Sequence, residues 1–279
     1  MKKLGFIGAG NMAEALARGL LAKKIFTASE LIASDIDPAR RRKFSRAVKA
    51  ETVADNLAIV GEARAIVLAV KPQTIDAVLD QIAPALSANG KGKSASRGAL
   101  FISIAAGVPI ARLEQHLGGN ARVIRVMPNA PAMVGQGMAA LVGGSRAAKS
   151  DESFALKIFR AVGEAVVLRD ESLLDAVTAL SGSGPAYVYL FVQSMAEAAI
   201  KEGLSAELAI QMALQTVRGA EQTMRESRLS PSELIRVVAS PGGTTEAALK
   251  SFNQAGFSEV IAKAIRAAAD RSRELGRSR

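Results

Sequence analysis

The chain has 279 residues, 49% of them apolar and 22% charged, a composition that suits a packed globular fold and excludes collagen-like, coiled-coil and disordered classes. It has no Cys and one His, His116, which removes disulfides, thiolate-bound clusters, thiol nucleophiles and any multi-histidine metal site, so no metal is expected. Lys and Arg exceed Asp and Glu by 36 to 26, a net charge of +10; with 4% aromatics and no Trp to stack bases, no nucleic-acid partner is expected.

The start, Met1 to Ile7, places Lys2 and Lys3 before apolar residues, but Gly8, Gly10, Asn11 and Glu14 break up any leader-like apolar stretch. No apolar run approaches a membrane span, and a cytoplasmic location is expected. Short β-branched runs then alternate with helical patterns. Lys3–Ile7, Leu31–Ser34, Ala65–Val70, Leu100–Ile104 and Val123–Met127 read as strands. Asn11–Ala22, Pro38–Val48, Asp55–Gly61 and Gln73–Leu86 read as helices, the second with Asp37 as cap and Pro38 in its first turn. Ser87 to Gly98 reads as a flexible basic loop, and His116, before Gly118-Gly119, as part of a surface turn. A strand at Met138–Val142, a helix near Ala147–Val162 and a strand at Ala165–Leu168 complete a doubly wound α/β unit, residues 1–168.

From residue 169 to 279 only helical spacing remains. Asp170–Leu180, Pro185–Lys201, Ala206–Arg225, Pro231–Val238, Thr244–Gln254 and Glu259–Leu275 read as helices, rich in Ala, Leu, Ile and Met. The fold class is therefore α/β, an N-terminal doubly wound (Rossmann) dinucleotide-binding domain followed by an all-α domain. A helical domain this small and this apolar leaves faces for association with a second copy.

Four constellations carry chemistry. Gly8-Ala9-Gly10-Asn11-Met12-Ala13 follows a strand and opens a helix: the first glycine permits the tight turn, the second admits a pyrophosphate, and the helix start supplies oriented N–H groups. At the end of the second strand, Asp35 is placed to accept hydrogen bonds from ribose hydroxyls and favour NAD, while Ser34 and the Arg40 to Lys43 cluster suit a 2′-phosphate; NADH and NADPH both stay open. Ala69-Val70-Lys71-Pro72 lies at the carboxyl end of a strand, where ligands sit in such sheets, and Asn56 starts the helix after Asp55. Ser240-Pro241-Gly242-Gly243-Thr244-Thr245 precedes an apolar helix, and its freed backbone, hydroxyls and helix-start N–H groups form an anion nest fit for a small carboxylate. Ser181-Gly182-Ser183-Gly184-Pro185-Ala186-Tyr187 is a comparable glycine turn, which close helix packing would equally explain.

Gly5-Phe6-Ile7-Gly8-Ala9-Gly10-Asn11-Met12, Ala69-Val70-Lys71-Pro72, Ile104-Ala105-Ala106-Gly107-Val108, Arg125-Val126-Met127-Pro128-Asn129, Ser181 to Tyr187, and Ser240 to Thr245 with Glu246-Ala247-Ala248-Leu249 resemble pyrroline-5-carboxylate reductases nearly end to end. The resemblance implies NAD(P)H-dependent reduction of the cyclic imine 1-pyrroline-5-carboxylate to L-proline. It places the cofactor on the first domain and the substrate at the helical domain; cofactor contacts are expected at Gly8, Gly10, Asn11, Met12, Ser34, Asp35, Asn56, Ala69, Val70, Lys71, Pro72, Ala105 and Asn129. It places the substrate on Ser240, Gly242, Gly243, Thr244 and Thr245, with the Thr245 hydroxyl on the ring nitrogen as the catalytic contact. It further implies a homodimer through the helical domain and a pentamer of such dimers. Ala130 stands where the family usually has Thr, and Ile235-Arg236 where it has a Lys-Asp pair. The alternatives are a β-hydroxyacid dehydrogenase, whose helical-domain lysine is not found after Tyr187, and a dinucleotide-binding sensor without turnover.

Overall fold

Strand β1 (Lys2–Ile7) sends Leu4 and Phe6 to one face of a sheet and Ile7 to the other, and the same two-residue alternation repeats along its neighbours. In the computed structural model, which describes residues 2–88, 98–118 and 120–277, these strands form one eight-stranded sheet. Its members are β2 (Leu31–Ser34), β3 (Glu51–Val53), β4 (Ala63–Leu68), β5 (Leu100–Ser103), β6 (Arg122–Met127), β7 (Gly137–Gly143) and β8 (Gly163–Val167). The order is β3-β2-β1-β4-β5-β6-β7-β8. Every pairing is parallel except β6 with β7, which is antiparallel, so the sheet is mixed at that point.

Helices cover both faces. Helix α1 (Asn11–Ala22), α2 (Pro38–Val48) and α6 (Lys149–Phe159) contribute Leu16, Phe44 and Phe159 to a core with Leu4, Phe6, Val67 and Ile102. Helix α3 (Asn56–Glu62), α4 (Ile75–Ala88), α5 (Ile110–Leu117) and α7 (Leu173–Val177) pack Ile59, Leu79, Leu113 and Leu174 against Ile7, Ile66 and Phe101. Asp37 caps α2 by accepting the Ala39 N–H at 2.7 Å, with Pro38 in the first turn, as the sequence predicts.

Several elements differ from expectation. Glu51–Val53 is an edge strand, too short and too polar to read as one. His116 lies in the last turn of α5 rather than in a surface turn, its Nδ1 2.8 Å from Asp80 Oδ1 on α4, beside the Arg112–Asp76 ion pair. Pro72–Thr74 is a separate 3₁₀ turn ahead of α4. The helix expected at Asp170–Leu180 is only α7, which passes into a π-helical turn at Thr178–Gly182. Most of the basic loop expected at 87–98 lies outside the described residues.

The second half is helical: α8 (Gly184–Lys201), α9 (Ala206–Ser227), α10 (Pro231–Val238), α11 (Thr244–Gln254) and α12 (Phe257–Arg277). Two compact units result, Met1–Gly182 with Ala268–Arg279, and Ser183–Ala267. In the first, the end of α12 is tied in by the Ser272 hydroxyl, which donates to Asp175 Oδ1 at 2.5 Å, and Leu275 packs beside Gly107. In the second, α8 and α9 meet through Val192, Ala196, Ala209 and Ala213, a small core.

Candidate functional site

The glycine turn is dictated by its backbone. Gly8 has φ +99°, and a Cβ there would lie 2.7 Å from the Ala69 carbonyl oxygen, so no other residue fits between β1 and the Ala69-Val70 segment. Gly8 N–H donates to the Ser34 carbonyl at 2.8 Å, and Ala69 N–H to the Ile7 carbonyl at 2.8 Å, which fastens the turn to both neighbouring strand ends. Gly10, the N-cap of α1, makes no side-chain capping bond, and a Cβ built on it meets nothing within 4 Å. The start of α1 thus combines uncapped N–H groups, the positive end of a helix and open space, the arrangement that receives a diphosphate. Asn11 and Met12 open this helix, and Asn11 Oδ1 accepts from Lys43 Nζ at 3.0 Å, which also sits 3.3 Å from Glu14.

Around this turn, several candidate residues prove to be engaged with the protein itself. Ser34, offered for a 2′-phosphate, is fully buried beneath α3, and its hydroxyl donates to Asn56 Oδ1 at 2.7 Å. Asn56 in turn donates to Gln81 Oε1 at 2.8 Å, so the pair links β2, α3 and α4. Asp35 is also buried and accepts N–H groups from Ala9 and Asp37. Lys71 is exposed at the carboxyl end of β4, its carbonyl holding Thr74, with Pro72 starting the short turn and Val70 half-buried behind it. Ala105, buried, follows β5, and its N–H donates to Ser103 Oγ at 3.3 Å.

Asn129, also buried, accepts the Met138 N–H at 2.8 Å and donates to the Ser181 carbonyl and hydroxyl at 3.1 and 3.3 Å. It therefore joins the end of β6 to β7 and to the π turn that precedes α8. That coupling could not be read from sequence, since its partners lie 9 and 52 residues away.

In the helical unit, Ser240 to Gly243 form a turn closed by the Gly243 N–H on the Ser240 carbonyl at 3.0 Å. Gly242 has φ +71°, and Gly243 is the N-cap of α11 with no side-chain capping bond. Thr244 and Thr245 are the first two residues of α11, so their N–H groups stand at the helix start, and the Ser240 hydroxyl lies where a Cβ on Gly243 would fall. Glu246, to which its place in the sequence assigns no role, accepts the Gly242 N–H through Oε2 at 2.7 Å and clamps the turn. Its signal was available: an acidic residue in the first turn, four positions after a glycine. Among the described residues, no group of acidic or histidine side chains is arranged to hold a metal ion, and no helix is long and apolar enough to cross a membrane.

Residues 171–275 match the family model described as pyrroline-5-carboxylate reductase dimerisation, and residues 3–107 the one described as NADP oxidoreductase, coenzyme F420-dependent. The pyrroline-5-carboxylate reductase of Pseudomonas aeruginosa is 43% identical over 98% of this chain and 96% of its own. That of Methanosarcina acetivorans is 39% identical over 99% and 98%. Among solved structures, a pyrroline-5-carboxylate reductase from Coxiella burnetii superimposes with a TM-score of 0.90 at 34% identity over 99% of both chains. The Plasmodium falciparum pyrroline carboxylate reductase, solved with NADP bound, does so with 0.85 at 32% over 99% and 98%. A glycine turn before an open, uncapped helix start, a second such helix start in an all-α unit and end-to-end likeness at this level have one reading: the chain belongs to the pyrroline-5-carboxylate reductase family.

Proposed function

We propose that this chain reduces 1-pyrroline-5-carboxylate to L-proline at the expense of NADH or NADPH, the closing step of proline biosynthesis. The dinucleotide is held within residues 1–168 and the imine acid within 169–279. The observation that carries the reading is the open, uncapped start of α1 behind a Gly8 that nothing else can replace. The bound dinucleotide supplies a hydride to the imine carbon.

The chain's own residues bind and orient. The α1 N–H groups beside Gly10, Asn11 and Met12 would hold the diphosphate, and Val70, Lys71, Pro72 and Ala105, at the carboxyl ends of β4 and β5, would hold the rest of the dinucleotide. Ser34, Asn56 and Asn129 act from behind, holding the strand ends in place through the bonds described above. The first N–H groups of α11, with Ser240, take the substrate carboxylate, and the Thr245 hydroxyl accepts from the protonated ring nitrogen. A protonated imine is already electrophilic, so positioning and exclusion of water supply the catalysis, and no metal and no strong protein acid are required.

The protein works as a homodimer through the helical unit, which dimers assemble into a pentamer, and it works in the cytoplasm. The test is loss of absorbance at the reduced-nicotinamide band when pyrroline-5-carboxylate is added with each cofactor in turn. Turnover that depends on both supports the reading; dinucleotide binding without turnover would leave a sensor instead.

A further inference from the structure

Asp35 occupies the place from which an acidic side chain ordinarily reads the ribose hydroxyls of a dinucleotide, and its surroundings differ from what that task needs. A ribose ligand presents its oxygens to an open groove, whereas this residue is only 8% exposed. Oδ2 accepts the Ala9 N–H at 3.0 Å and Oδ1 accepts the Asp37 N–H at 2.9 Å, so each oxygen holds a backbone donor. Its own peptide is gripped as well: its N–H reaches the Val53 carbonyl at 3.3 Å, and its carbonyl accepts from Arg41 Nη1 at 2.6 Å. The Arg40 guanidinium, 3.8 Å from Oδ2, offsets part of the charge that would repel a 2′-phosphate.

Ala9 lies between the two glycines. Gly8 is held at φ +99° and Gly10 is the N-cap, so the orientation of the peptide between them sets where the α1 N–H groups point. A carboxylate on a backbone N–H is a charge-assisted bond, stronger than a neutral one and fixed in direction. On the dinucleotide reading given above, we infer that Asp35 is a positioning residue: its carboxylate latches the glycine turn in the diphosphate-binding geometry, and it does not select between NADH and NADPH. Selection falls to charge on α2, where Arg40 is half-exposed and, among the described residues, held by carboxylates at 3.7 and 3.8 Å, while Arg41 and Lys43 are committed to the carbonyls of Asp35 and Ile36 and to Asn11 and Glu14.

The test titrates NADH and NADPH separately into the full-length protein, read by the fluorescence of the reduced nicotinamide, for wild type, Asp35→Ala, Asp35→Asn and Arg40→Gln. Asp35→Ala should weaken both cofactors by about tenfold, the scale of one charge-assisted hydrogen bond, with the ratio of the two Kd values unchanged within about twofold. Asp35→Asn keeps one carbonyl for the Ala9 N–H and should recover part of both affinities. In steady state the loss should fall on KM for the cofactor and leave KM for pyrroline-5-carboxylate alone. Arg40→Gln should weaken NADPH only. A tenfold shift toward NADPH in either Asp35 variant would make the residue a ribose reader and overturn the latch, as would unchanged affinity for both. Thermal melts identify a variant that has not folded, and Asp35→Asn, which preserves shape, then carries the comparison. A wild-type protein that binds neither dinucleotide would bring down the dinucleotide reading itself, a failure distinct from a changed Kd ratio.

Discussion

At Gly8 and Gly10, two residues apart, the reasons for glycine are different and separable. Gly10→Val projects its side chain into open space, so the fold should persist while dinucleotide binding is lost, because the diphosphate and the new side chain need the same volume. Circular dichroism together with a cofactor titration checks both halves. Gly8→Ala should instead unfold more easily, by roughly 1–3 kcal/mol for the forced positive φ alone, with the clash against the Ala69 carbonyl added to it. A denaturant midpoint equal to wild type would contradict this. Thr245 is a third case, half-buried in the first turn of α11. Thr245→Ala removes one hydroxyl and keeps the helix start, so kcat should fall by roughly one to two powers of ten, the worth of a hydrogen bond to a charged partner. Cofactor affinity should stay as it was; wild-type kcat and KM would refute the role, and lost NAD(P)H binding would assign the nest to the cofactor.

Among the elements, α10 offers a pH readout. Its start is a capping box in which Ser230 accepts the Glu233 N–H at 3.3 Å, while Glu233 Oε2 accepts the Ser230 N–H at 2.7 Å and its hydroxyl at 2.6 Å. The Ser230 hydroxyl, and after it the Ser230 backbone N–H, hold the Glu233 carboxyl below its ordinary value of 4.5. A lowered folded-state pKa means the contribution is complete above about 4.5 and fades as pH falls through the lowered value. The Ser230 amide resonance should therefore titrate in that acid range, and in Glu233→Gln it should be flat there. For legibility, the capping box, the Asp37 cap and the glycine turn are local patterns of three to six residues, visible wherever they occur. The edge strand Glu51–Val53 and helix α5 are not, since three polar-leaning residues carry no period, and α5 is only two turns whose apolar stripe is Ile110, Leu113 and Leu117.

For the whole molecule, the helical unit has too little core for its apolar content. Tyr189 and Leu190 on α8, Met212 and Leu214 on α9, and Val237 and Val238 after them on α10 are exposed, Leu190 by 64% and Val237 by 74%. Large apolar side chains left exposed together in this way mark a surface for association. Sedimentation equilibrium should give at least twice the 29.0 kDa of one chain, and Leu190→Lys combined with Leu214→Lys should shift the mass toward the monomer and lower activity with it. A wild-type protein sedimenting at the mass of one chain would remove the dimer from the proposal.

What the sequence by itself determined is what depends on neighbours along the chain: the α/β rhythm giving way to helices, the glycine turn at residue 8, and the Ser240 to Thr245 nest. Each follows from steric and hydrogen-bonding rules within a turn or two, so each survives without knowledge of the rest of the fold. Tertiary structure decided the duties of the polar side chains. Ser34 faces Asn56 across 22 residues, Asp35 reaches Ala9 across 26, and Asn129 reaches Ser181 across 52. Each of these candidates has a partner inside the protein that its place in the sequence does not reveal. The physical reason is that a buried polar group must find a partner, and which partner is near depends on strand order, β2 beside β1 and β6 beside β7, not on distance along the sequence.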